Sequence, residues 1–202
     1  MELEQEIVKL KPWYQQVNFG DGIKSSGHTD CGDSVWPVIR KFMPKSLDGL
    51  RILDMGTNTG IHCVRAVLDG AEEAVGVDNN DAPMATRQQV FVKEFFEKKY
   101  KTELNITYFE SEIEDFIFNY SGRKFDFILA LSVLHHFRYS RHEEFIEKLG
   151  TMTDHVLVRF RAGAIDKNYK FFDDLFIKCG FNFSFFKEKE SSPHLYLIHY
   201  TK

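Results

Sequence analysis

Arg51-Ile-Leu-Asp-Met-Gly-Thr-Asn-Thr-Gly60 reads as an apolar strand that runs into a glycine-bearing turn and out into a helix. Glycine lets a backbone approach a ligand closely, and a helix start offers unpaired N–H groups. Eighteen residues past Gly60, Asp78 ends a second apolar run, Val75-Gly-Val-Asp78. An acid there can accept hydrogen bonds from both hydroxyls of a ribose. Together the two stretches describe a nucleoside-cofactor site at the carboxyl ends of parallel strands.

Outward from this pair the chain alternates strand and helix. Strand-like runs are Arg51–Met55, Ala74–Asp78, Ile106–Glu110, Phe125–Leu131 and His155–Phe160. Helical faces lie between them: Val64, Val67 and Leu68, then Phe91, Val92, Phe95 and Phe96, then Phe145, Ile146 and Leu149. Continuously apolar strands suit a parallel sheet covered on both sides. A further helix carries Phe171, Phe172, Leu175 and Phe176, with Gly180 placed to end it. Asn182–Lys187 and His194–Tyr200 then form an antiparallel pair across a hairpin-length gap. The expected fold is α/β: a Rossmann-like seven-stranded sheet, mostly parallel with an antiparallel C-terminal strand, and helices on both faces.

Before this rhythm begins, Leu3, Ile7 and Leu10 recur at helical spacing up to Pro12, and residues 13–33 have no period at all. A long irregular stretch flanked by Trp13-Tyr14 and Trp36 suggests an ordered cover. Asp33 or Ser34 is suited to cap a helix bearing Pro37 in its first turn. Residues 1–47 are therefore read as a helical and loop cover, and 48–202 as the cofactor-binding catalytic domain, together one unit.

At 202 residues, 43% of them hydrophobic, the chain has material for one real core. Its 26 basic and 30 acidic side chains give a net charge of −4, which argues against attachment to nucleic acid by bulk charge. No apolar run approaches the roughly 18 residues of a membrane span. Cys31, Cys63 and Cys179 are odd in number and far apart, as expected of thiols in a reducing compartment. The expected location is the cytoplasm, without membrane or DNA; the oligomeric state is open.

The turn discriminates between cofactors. A dinucleotide site uses G-x-G-x-x-G and sets a pyrophosphate on the helix start. Here Asn58 holds the middle position, which an Asn can do because it enters the left-handed region more readily than most residues. Asp54, just before the turn, would repel a phosphate and suits an ammonium group. Leu53–Gly60, Val75–Asp78, Glu110-Ser-Glu-Ile113 and Phe125-Asp-Phe-Ile-Leu-Ala-Leu-Ser-Val-Leu-His-His136 occur in the order found in class I S-adenosylmethionine-dependent methyltransferases, which the chain resembles over roughly residues 48–200. That resemblance implies S-adenosylmethionine as cofactor. It places Asp54, Gly56 and Gly60 at the methionine end and Asp78 at the ribose, with Asn58 of the same turn among the cofactor-binding residues. It sets Asn79, Glu112 and the Ile113 N–H at the adenine, with Leu131 in the same set.

A closer likeness is to the tRNA wobble-uridine (carboxy)methyltransferases and their short relatives, through Pro12-Trp-Tyr-Gln15, Asp21–Gly27, Gly56–Gly60 and Leu131–His136. Where that family has Tyr-His this chain has His135-His136, so ordinary S-adenosylmethionine is the expected cofactor. The position that reads Asp/Asn-Pro-Pro-Tyr/Phe in adenine methylases of DNA is Ala130-Leu-Ser-Val133, and no Cys lies near it for attack on cytosine. The expected reaction is in-line transfer to an oxygen or nitrogen of a small molecule or RNA base. His135 or His136 would act as base or orient the acceptor, or serve only as a structural turn. Tyr14, Lys24 and Trp36 are candidates for gating the substrate. Arg159 and Arg161 share a strand face, where one pairs with an anionic substrate or neutralises a neighbouring acid. His135, His136, His142, Glu143 and Glu144 lack a metal-ligand spacing, so no metal is expected. The rival reading is a non-catalytic S-adenosylmethionine-binding subunit that positions a partner.

Overall fold

Hydrophobic runs and helical periods alternate along the chain, and the computed structural model turns that alternation into helices layered on one sheet. It describes residues 2–28, 31–81, 84–136, 141–161, 170–187 and 195–202. The N-terminal part holds α1 (Glu2–Lys9), the short strands β1 (Asn18–Gly20) and β2 (Ile23–Lys24), and α2 (Trp36–Ile39). Then come β3 (Arg51–Met55), α3 (Ile61–Leu68), β4 (Glu73–Asp78), α4 (Ala85–Tyr100), β5 (Ile106–Glu110) and α5 (Ile113–Asn119). The C-terminal half adds β6 (Phe127–Leu131), α6 (His142–Met152), β7 (His155–Arg161), α7 (Lys170–Lys178), β8 (Asn182–Lys187) and β9 (Leu195–Thr201).

Seven strands form the main sheet in the order β5-β4-β3-β6-β7-β9-β8. The first five pair in parallel. Antiparallel β9 sits between β7 and β8. The chain starts at the centre, winds outward through β4 and β5, then returns to β6 on the other side of β3. That reversal leaves a crevice outside the carboxyl ends of the strands.

Alternate side chains feed two cores. Ile52, Leu129 and Leu157 face α3, α4 and the N-terminal segment, while Leu53, Met55, Ile128 and Val158 face α5, α6 and α7. The irregular 13–33 stretch is anchored by aromatics: Phe19 is 2% exposed and meets Trp13, Phe91, Phe95 and Phe96. Burying one such side chain stabilises by roughly 1.5–3 kcal/mol. The expected cover at residues 1–47 thus contributes Ile7, Trp13, Phe19 and Trp36 to the same core as Ile52 and Phe96.

Three local expectations change. Asp33 does not cap the helix at Pro37; its two carboxylate oxygens accept from the Arg65 guanidinium and the Asn18 N–H instead. Residues 33–42 form a short α-turn between two 3-10 turns. Phe171 stays outside the core at 39% exposure while Phe172 and Phe176 are buried, because successive helical residues point about 100° apart.

Candidate active site

Gly56 follows β3 with φ +72°, and Gly60 opens α3 with φ +76°. Between them Asn58 takes φ +47°, the left-handed geometry that its position in the motif calls for. The Gly56 and Thr57 N–H groups both donate to Val77 O, at 2.8 and 3.1 Å, so the turn is pinned to the neighbouring strand. Asp78, at the end of that strand, accepts from the Asn58 N–H at 2.8 Å and the Asn80 N–H at 2.9 Å. Gln89 on α4 completes the support by donating to Asn58 O and Asn80 Oδ1.

Above the turn lies a cavity of about 440 Å3, a size ordinary for a small-molecule site. One end is acidic: Asp78, Asn79, Asp81, Glu112 and Glu114 line it together with Ile113. Asn79 Nδ2 donates to Asp81 Oδ2 at 3.0 Å and to Glu112 Oε1 at 3.2 Å. Glu112 stands at the start of α5 and makes no side-chain cap there. The other end combines Ser132, Val133 and His136 after β6, Arg159 on β7, and Tyr14, Gln15 and Cys31 from the N-terminal segment. Gln15 is buried and latched to the turn, its Oε1 accepting from Thr59 Oγ1 at 2.6 Å.

The sequence candidates therefore divide. Gly56, Asn58, Asp78, Asn79, Glu112, Ile113, Leu131, His136 and Tyr14 all line the cavity. Asp54 lies beneath it, 1% exposed, with its carboxylate accepting from Thr57 Oγ1 at 2.8 Å. Burial pushes its carboxyl up to about 7; the Thr57 hydrogen bond opposes this and the nearby Asp78 charge adds to it. Gly60 is likewise off the wall: a Cβ there would meet the Tyr108 hydroxyl at 2.2 Å, so a neighbouring ring excludes any side chain. Trp36 is 6% exposed and donates to Asp69, and Lys24 is exposed on β2, so neither reaches the cavity. His135 occupies the 3-10 turn Leu134–His136, and its side chain lies outside the described residues, as does that of Arg161.

Sequence reading did not single out Gln15, Cys31, Ser132 or Glu114 as cavity residues. Ser132 has a signal only in its backbone, φ +62° just after β6, which no residue type announces. His142, close to His136 in sequence, is buried against Phe171 and Phe172. Among the described residues no cluster of three metal-ligating side chains occurs.

The cavity fits a cationic nucleoside better than a dinucleotide. Four carboxylates gather at one end, hostile to a pyrophosphate, and Asn58 Oδ1 and Ser132 Oγ at the wall have no hydrogen-bond partner within the protein. A family model described as Methyltransferase domain matches residues 34–158, more than half of the chain. The chain belongs to the methyltransferase-domain family. Several solved structures share the fold of this methyltransferase domain. The N-terminal domain of EvdMO1 with SAH bound is 14% identical, covering 99% of this chain and 95% of that one, with a TM-score of 0.71. A putative S-adenosylmethionine dependent methyltransferase from Listeria monocytogenes is 16% identical over 83% of this chain and 97% of its own, TM-score 0.64. Magnesium protoporphyrin IX methyltransferase from Synechocystis, with bound SAM, is 17% identical over 84% and 77%, TM-score 0.61. No curated protein sequence matches the chain. No described helix of this methyltransferase domain is long and apolar enough to cross a membrane.

Proposed function

We propose that this methyltransferase domain uses S-adenosylmethionine to methylate an oxygen or nitrogen of a small acceptor. The observation that carries the reading is the acidic end of the cavity, built around Asp78 on the glycine-bearing turn. Asp78 would hold the ribose hydroxyls, and Asn79, Glu112 and the Ile113 N–H the adenine edge. Gly56 and Asn58 would flank the methionine chain, with Asn58 Oδ1 as an acceptor for its ammonium. When bound, the cofactor supplies a methyl on cationic sulfur, whose C–S bond breaks with its electron pair left on sulfur as the acceptor's lone pair bonds the carbon.

The protein's part is alignment and exclusion of water. Residues 1–47 act as the cover, and Tyr14 and Gln15 close the cavity from that side. His136, exposed at the rim, takes the acceptor's proton. The wobble-uridine likeness of the sequence supports an RNA base as acceptor; the net charge of −4 and the acidic rim favour a small molecule. Calorimetry with S-adenosylhomocysteine and NAD tests the cofactor: micromolar binding of the first and none of the second is expected. Incubation with labelled S-adenosylmethionine and separate RNA, protein, lipid and metabolite fractions then tests the acceptor class, with label expected among metabolites.

A further inference from the structure

Gly27 closes the Asp21–Gly27 stretch, and its backbone comes so near Gln15 that a Cβ there would stand 2.2 Å from Gln15 O. A Cβ at Gly32 would stand 1.9 Å from Gln16 O. Two glycines thus let the chain close around Gln15 and Gln16. Hydrogen bonds fasten the same spot. The Gln16 N–H donates to His28 O at 3.0 Å, Ser25 Oγ to Gln15 O at 3.2 Å and the Asp33 N–H to Gln16 O at 3.0 Å. What they fix is a residue that is 6% exposed and lines the cavity.

The side-chain amide of Gln15 has a defined orientation. Its Oε1 accepts from the Thr59 N–H at 3.3 Å, and a backbone N–H can only donate, so the oxygen faces the turn and Nε2 faces away from it. Thr59 Oγ1 donates to the same oxygen. Nε2 makes no hydrogen bond to any described residue, although Gln15 is buried. Two N–H donors withdrawn from bulk water call for an acceptor, and the cavity is where one can stand.

The neighbours indicate which acceptor. Thr59 adjoins Asn58, whose Oδ1 is likewise without a hydrogen-bond partner among the described residues. One turn therefore offers an acceptor at Asn58 and a pair of donors at Gln15, the complement of an ammonium and a carboxylate on one carbon. α3 begins at Ile61, two residues past Thr59, and the start of a helix favours negative charge. The far end of the cavity, with Asp78, Asp81, Glu112 and Glu114, repels a carboxylate.

We infer that Gln15 Nε2 donates to the carboxylate of the cofactor's methionine end, so that the N-terminal cover selects the amino-acid head as well as closing over it. This rests on the cofactor reading above and deepens it. Gln15 is a positioning residue held by the Thr59 contact, and the bound carboxylate ties cover and turn together.

The test is calorimetry on the full chain at about pH 8, above the ordinary carboxyl range. The probes are S-adenosylhomocysteine, decarboxylated S-adenosylhomocysteine, which keeps the ammonium, and 5′-methylthioadenosine, which lacks both charged groups. A hydrogen bond to a charged group corresponds to roughly 10- to 150-fold in affinity. Wild type should therefore bind S-adenosylhomocysteine at least about tenfold tighter than its decarboxylated form. Gln15→Glu keeps an oxygen for both Thr59 donors and replaces the NH2 by a second oxygen. In that variant the preference should vanish or reverse, and in Gln15→Met, with neither donor nor charge, it should vanish. 5′-Methylthioadenosine, expected to stay within about threefold of wild type in both, shows that they are folded. Equal binding of the first two probes by wild type overturns the inference and leaves the cofactor reading intact. A preference that survives in both variants puts the carboxylate on another residue and overturns it too. The same holds if both variants weaken 5′-methylthioadenosine as much as S-adenosylhomocysteine, because Gln15 then acts only through the shape of the turn. Failure of wild type to bind any of the three probes removes the cofactor reading as well.

Discussion

Gln15 Oε1 accepts hydrogen bonds from both the hydroxyl and the backbone N–H of Thr59, at 2.6 and 3.3 Å. Thr59 is fully buried in the glycine-bearing turn, and Gln15 is 6% exposed in the N-terminal segment. One side chain thus joins a stretch without sequence periodicity to the turn that shapes the cavity.

Breaking that contact should cost stability on both sides. Thr59→Val keeps the volume but leaves Gln15 with the longer bond alone, and Gln15→Met strands both Thr59 donors. Each should destabilise by about 1–3 kcal/mol in urea unfolding. The double variant should cost less than the sum, because the partner left unsatisfied is also removed. Strict additivity would mean that the two residues do not act through each other.

Asp78→Asn tests the ribose end. The carboxylate already accepts from Asn58 and Asn80, so the substitution removes charge and turns one acceptor into a donor facing an N–H. Hydrogen bonds to a charged group are worth about 1.5–3 kcal/mol, so S-adenosylhomocysteine affinity should fall roughly 10- to 150-fold. Calorimetry reads this directly. A loss below about threefold would separate Asp78 from cofactor binding.

Gly60→Ala should destabilise the fold more than Gly70→Ala. Both glycines have positive φ, +76° and +106°, so both substitutions carry backbone strain. Only at Gly60 would the new Cβ also strike a ring, 2.2 Å from the Tyr108 hydroxyl and 2.6 Å from Cζ; at Gly70 nothing lies within 4 Å. Strain alone is about 1–2 kcal/mol, and the clash should at least double it. Combining Gly60→Ala with Tyr108→Ala should return part of the lost midpoint in thermal unfolding.

These cases mark what the sequence makes legible. Local rules carry far where one residue type answers one backbone demand: Asn58 in the left-handed region, or β3 buried at all five positions between two helical layers. The parallel order around β3 follows from the strand-helix alternation in the same way. Long-range choices are different. Gly60 looks like a ligand-facing glycine, yet the residue that forbids its side chain is Tyr108, on a strand two places away. Trp36 and Lys24 sit in the N-terminal segment, and only its packing decides that Tyr14, Gln15 and Cys31 turn toward the cavity while they turn away. Asp33 is equally suited to capping a helix or pairing with a cation, and Arg65, distant in sequence, decides it.

Asp54 and His62 should give stability opposite pH dependences. Burial pushes the Asp54 carboxyl up to about 7, against about 3.9 in an unfolded chain. Between those values the folded protein holds a proton that the unfolded chain has released. This contribution is full below about pH 4 and is lost as pH rises through about 7. Burial pushes His62 down to about 4, against about 6.5 unfolded. Its contribution is full above about pH 6.5 and is lost as pH falls through about 4, and His199 behaves alike for the same cause. The trends partly cancel in the native protein, so a difference measurement separates them. Asp54→Asn keeps the buried shape without titrating, and the stability of wild type relative to it should decline from pH 4 to pH 7. The decline should be on the order of a few kcal/mol, because one proton released per molecule costs about 1.4 kcal/mol for each step of one in pH. His62→Asn should give the mirror image, with the wild-type advantage growing from pH 4 to about pH 6.5. Denaturant unfolding across that range reads both slopes, and a flat difference for Asp54→Asn would mean that the carboxyl stays ionised in the fold.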